Sequence, residues 1–109
     1  MQTEINGQKT FFSNGNGTLS PGQPNVVFIH GAAMDHTVWT LPVRYFARHR
    51  YNVYAFDLPG HGRSSGTALT SIEALADWVK SAMDTLEIAD AAIVGHSMGS
   101  LVGICFAAN

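Results

Sequence analysis

The sequence predicts an α/β domain, a mostly parallel sheet flanked by helices. Two observations carry this. Short apolar runs at residues 25–29, 51–56 and 91–94 alternate with stretches of helical periodicity, the strand-helix alternation that builds parallel sheets with right-handed crossovers. Each of these strands also ends in a loop of glycine and small residues, and the carboxyl edge of such a sheet is where ligands bind. A chain of 109 residues holds one small domain, so residues 1–109 are taken as one unit. With 46% hydrophobic and 13% charged residues it can fill a core, and a net charge of −2 with no basic stripe argues against nucleic-acid binding.

Residues 2–5 and 8–13 read as two strands joined by Asn6-Gly7, the strongest two-residue hairpin signal. Residues 13–24 are rich in Asn, Gly, Ser and Pro and read as a surface connection. Asn25-Val26-Val27-Phe28-Ile29 is an unbroken apolar strand, as expected where both faces of a sheet are covered. Between Thr37 and Arg48, Val38, Leu41, Tyr45 and Phe46 fall at roughly helical spacing. Pro42 is tolerated only in a first turn, so the helix should begin near residue 40. Thr70-Ser71-Ile72-Glu73 fits a capping box with Thr70 as N-cap. Ile72, Leu75, Ala76, Val79, Met83 and Leu86 then follow one helical face, with Trp78 off that line at its edge.

Three stretches carry chemistry. The first, Gly95-His96-Ser97-Met98-Gly99, follows an apolar strand and precedes a helix-compatible run to Ala108. A serine at the apex of a strand-turn-helix projects its hydroxyl from the sheet, and only small residues fit two positions either side, which Gly95 and Gly99 provide. The helix N-terminus at Met98 aims backbone N–H groups at charge developing beside Ser97. The second, His30-Gly31-Ala32-Ala33, places bare backbone at the end of a strand, where the N–H of Ala32 can act as a second oxyanion donor. His30 sits badly for a general base and reads instead as an anchor for this loop. The third, Asp57 to Gly66, groups Asp57, His61 and Arg63. The reading preferred over a triad is an Asp57–Arg63 pair stabilising an irregular turn, with His61 at its surface.

Other classes find little support. The five histidines show no metal-ligand spacing, so neither metal nor cofactor is expected. The lone Cys105 lies in an apolar run and reads as a buried thiol. Residues 1–7 lack the charged and apolar regions of a signal peptide and no apolar run reaches membrane-spanning length, so a cytoplasmic protein with no membrane contact is expected.

Taken together, the three motifs in this order resemble the N-terminal part of the α/β-hydrolase superfamily. The resemblance covers nearly the whole chain. It implies Ser97 as nucleophile, the backbone N–H groups of Ala32 and Met98 as oxyanion hole, and structural roles for His30, Gly31, Asp57, His61, Arg63, Gly95 and Gly99. A serine at the apex is unlike the aspartate of dehalogenases and epoxide hydrolases and is similar to esterases, lactonases and carbon–carbon bond hydrolases. The implied activity is hydrolysis of a small ester-like substrate through an acyl-enzyme. An acyltransferase or lyase on the same scaffold, or a non-catalytic small-molecule binder, are the rival readings. The family's order of nucleophile, acid, histidine places the last two after Ser97, and neither is present by Asn109. The expectation is therefore a partial domain, truncated before the later strands, inactive alone, with its elbow strand as an open apolar edge.

Overall fold

A computed structural model describes residues 1–108. The strands are β1 (Gln2–Ile5), β2 (Gln8–Ser13), β3 (Asn25–Ile29), β4 (Asn52–Phe56) and β5 (Ala92–Gly95), and the helices are α1 (Thr40–Arg48), α2 (Ile72–Thr85) and α3 (Met98–Ala108). A 3-10 turn at His36–Trp39 leads into α1. The sheet order is β1-β2-β4-β3-β5. Parallel pairing joins β3 to β4 and to β5, while the hairpin joins antiparallel through β2 and β4. The expected mostly parallel sheet is thus a mixed one, because the hairpin adds its strands to the same sheet. Asn6 and Gly7 both take positive φ (52° and 79°), the backbone that a two-residue turn of matching twist requires.

The period of two along β3 and β4 divides their side chains between two cores. Val27, Ile29, Tyr54 and Phe56 face α2 and α3, whereas Val26, Phe28, Val53 and Ala55 face α1. Every residue of β4 is buried, as a strand covered on both faces must be.

Four sequence expectations need correction. The buried stripe of α1 is not Val38, Leu41 and Tyr45, which are exposed, but Trp39, Val43, Phe46 and Ala47. That set also has helical spacing, and Phe28 selects it by packing against both Trp39 and Phe46. Trp78 is not at an edge: it is buried in the larger core, edge-on to Phe56 with ring centroids 5.4 Å apart. Cys105 is half-buried against the same core. The N-cap of α2 is Ser71, one residue later than the capping box implies, and its hydroxyl accepts the Ala74 N–H at 3.0 Å. Ser71→Ala is expected to destabilise the protein by about 1 kcal/mol and Thr70→Ala by less than about 0.5 kcal/mol, measured by urea denaturation.

Candidate active site

The turn from β5 to α3 is built by steric exclusion. A Cβ on Gly95 would overlap the Gly99 carbonyl and stand 2.6 Å from the Ser100 nitrogen. A Cβ on Gly99 would overlap the Ile29 carbonyl and stand 2.8 Å from that of His30. Gly95 is therefore demanded by the helix that follows it, and Gly99 by the end of the neighbouring strand β3. Between them Ser97 takes φ +57°, a conformation that costs an L-residue about 1–2 kcal/mol and persists only where the surroundings impose it. Backbone bonds lock the turn: Gly99 N–H to His96 O (2.9 Å), Ser100 N–H to Ser97 O (2.9 Å) and His96 N–H to Ile29 O (3.1 Å). The Ser100 hydroxyl closes it on Gly95 O at 3.1 Å.

Ser97 ends up exposed, and its Oγ has no hydrogen-bond partner among the described residues. The loop after β3 packs directly on it, since a Cβ on Gly31 would meet the Ser97 Cβ at 3.2 Å. The N–H groups of Ala32 and Met98 donate to no other group among the described residues, whereas those of Ala33, Met34, Gly99 and Ser100 do. The elbow and the loop after β3 are thus brought together as the sequence predicts.

His30 is fully buried, with both ring nitrogens in use. Nδ1–H donates to Gly31 O at 2.7 Å, and Nε2 accepts the Leu58 N–H at 3.1 Å. Accepting from an amide requires a free lone pair, so the ring is neutral. Burial, chiefly, holds its pKa below the ordinary 6.5. Below pH 6.5 the unfolded chain binds a proton here that the folded chain refuses until its own lower midpoint. Stability should therefore decline as pH falls from 6.5 toward that midpoint and be unaffected by this group above 6.5. An NMR titration should place the His30 midpoint below 6.5, and urea unfolding should show the matching slope.

The Asp57–Arg63 pair is replaced by a different arrangement. Asp57 is fully buried and accepts the Arg63 backbone N–H on Oδ2 at 2.9 Å, while the Arg63 guanidinium lies over the Phe11 ring, 4.9 Å from its centroid. The partner on Oδ1 is His36, through its N–H at 2.6 Å and its ring Nδ1 at 2.9 Å. A buried carboxylate takes backbone donors readily, and a guanidinium beside it would have to be buried as well. His36 was missed because it lies 21 residues upstream in the chain, with nothing in its spacing to mark it. His61 is half-buried. Its Nδ1–H donates to Pro59 O at 3.0 Å and its Nε2 accepts the Ala33 N–H at 3.4 Å.

Folding also brings ligand atoms of Asp35, His36 and Asp57 within 4.8 Å of one another, which sequence spacing does not reveal. These atoms are already committed: Asp35 accepts from the Thr37 N–H and hydroxyl, and Asp57 from His36. A cavity of 590 Å³ between the hairpin and α2, walled by Ile5, Gln8, Asp77 and Trp78, contains no residue of the elbow or of the loop after β3.

Residues 24–109 match the family model for the alpha/beta hydrolase fold. The chain belongs to that family. Among its relatives is the (E)-2-((N-methylformamido)methylene)succinate hydrolase of Acinetobacter baylyi, 38% identical over 82 residues that cover 74% of this chain and 30% of that protein. The dihydrolipoyllysine-residue acetyltransferase component of the acetoin cleaving system of Cupriavidus necator is 43% identical over 79 residues, 72% of this chain and 21% of that one. The enol-lactonase of Burkholderia xenovorans superposes with a TM-score of 0.87 at 30% identity, over all of this chain and 42% of its own. The chain thus spans less than a third of the length of the curated relatives quoted. Within that span β5 pairs only with β3 among the described residues, and Leu101 and Ile104 of α3 are 56% and 68% exposed. No helix among the described residues is long and apolar enough to cross a membrane.

Proposed function

We propose that Ser97 is the nucleophile of a serine hydrolase acting on carboxylic esters, lactones or similar small carbonyl compounds. What supports this is the positive-φ apex at Ser97, an exposed residue packed against Gly31, with the N–H groups of the adjoining Ala32 and Met98 donating to no other group among the described residues. The hydroxyl oxygen attacks the carbonyl carbon as its proton passes to a histidine, and the oxyanion is held by the two N–H groups. Collapse breaks the bond to the leaving oxygen, which takes the histidine's proton. Water then attacks the acyl-serine by the same route and releases the acid.

No imidazole among the described residues bonds to Ser97 Oγ, and His30, His36 and His61 are each engaged elsewhere. The base and its orienting acid are therefore proposed to come from polypeptide outside residues 1–109, which would also cover the β5 edge and wall the substrate pocket. Residues 1–109 alone are expected to turn over esters at close to the uncatalysed rate, because serine without a base is a weak nucleophile. The complete enzyme denotes these residues together with the segment supplying the base.

The likeness to an acetyltransferase component favours a second reading, acyl transfer to an acceptor other than water. The two are separated by supplying the complete enzyme with an activated ester and a thiol or alcohol. Free acid as the dominant product supports hydrolysis, while dominant acyl transfer to the acceptor overturns it.

A further inference from the structure

The two loops at the carboxyl edge of the sheet are joined by a reciprocal pair of imidazoles. His30, on the loop after β3, accepts the Leu58 N–H from the loop after β4 and donates to Gly31 O of its own loop. His61, on the loop after β4, accepts the Ala33 N–H from the loop after β3 and donates to Pro59 O of its own loop. Each ring takes an amide proton from the opposite loop and gives one to its own. The rings lie 5.1 Å apart, tilted by 53°. Both bonds across the gap need a neutral ring with its proton on Nδ1.

The two differ in what they hold. The Leu58 amide lies in a buried stretch, whereas Ala33 is exposed and sits at φ +59°, left-handed backbone that an alanine keeps only when its surroundings impose it. Two residues earlier Gly31 packs on Ser97, and three residues later His36 is fixed to Asp57. Between these anchors the bond to His61 is the side-chain hydrogen bond that holds residues 32–34 among the described residues.

We infer that His61 is a positioning residue for the oxyanion loop. Its Nε2 lone pair holds the Ala33 N–H, and with it the left-handed turn that keeps the adjoining Ala32 N–H available beside Ser97. The inference rests on the reading of Ala32 as an oxyanion donor.

The test compares His61→Ala with His61→Gln in the complete enzyme, with rates expressed per active site titrated by an ester burst. His61→Ala is expected to lower kcat by roughly 10- to 100-fold, less than outright loss of an oxyanion donor, with KM within about twofold. His61→Gln, whose side-chain oxygen can still accept from Ala33, should recover most of that loss. An unchanged kcat in His61→Ala, or equal losses in both variants, overturns the inference. Where His61→Ala does not fold, long-range ¹H–¹⁵N NMR of the parent decides: a proton on Nδ1 of His61 and a protected Ala33 amide are expected, and a proton on Nε2 overturns the inference. The NMR measurement does not depend on turnover. It therefore stands or falls separately from the role of Ser97.

Discussion

Replacing Ser97 with alanine is expected to lower kcat for ester hydrolysis by the complete enzyme by on the order of 10⁶-fold, leaving only what binding and the oxyanion donors provide. The fold should be untouched, because the Ser97 side chain makes no hydrogen bond among the described residues and its exposed site holds no core contact. Removing the side chain even relieves nothing sterically, since alanine at φ +57° is strained as serine is. Activity and stability should thus separate cleanly. Circular dichroism and urea midpoints that match the parent, with turnover reduced to near background, are the expected pair of results.

Gly99→Ala is expected to do the opposite, acting on the fold first. The added carbon would sit inside the Ile29 carbonyl, a backbone group at the end of β3, an interior strand whose residues from Val26 to Ile29 are buried. No side-chain rotation relieves that overlap, so α3 must move away from β3 or the elbow must open. A destabilisation above about 4 kcal/mol is expected, the range reserved for overpacking and backbone strain in a core. Gly7→Ala is the informative comparison. A Cβ there meets nothing within 4 Å, so it is strained only by its positive φ and should be much milder. Urea denaturation of both variants checks the ranking.

The features that were legible in the sequence are those set by local periodicity and by backbone space. The Asn6-Gly7 turn, the apolar strands and the two glycines of the elbow each follow from a few neighbouring residues, and the structure places them accordingly. The choice among competing tertiary partners was not legible. In α1 two stripes have helical spacing, and the strand residues Val26, Phe28, Val53 and Ala55, all outside the helix, decide that Val43 and Phe46 face inward. Asp57 had a cation six residues away in the chain, yet its buried position favours amide donors and His36. The capping hydroxyl of α2 is that of Ser71 rather than the expected Thr70, on extended backbone at φ −132° and accepting from the Ala74 N–H. The reciprocal contacts of His30 and His61 were out of reach for the same reason. They depend on how two loops from different strands face each other.

The division of labour among the motifs is physical. The elbow exposes Ser97, the loop after β3 packs against it through Gly31, and the loop after β4 braces that second loop through Asp57, Leu58 and His61. What these residues lack is a base in contact with Ser97.

The most direct measurement is to mix the complete enzyme with an activated ester, quench during the burst, and map the acyl group by peptide mass spectrometry. One acyl group per active site, carried by Ser97, is expected. An acyl group on another residue, such as Cys105, or rapid turnover with Ser97 never modified, would contradict this expectation.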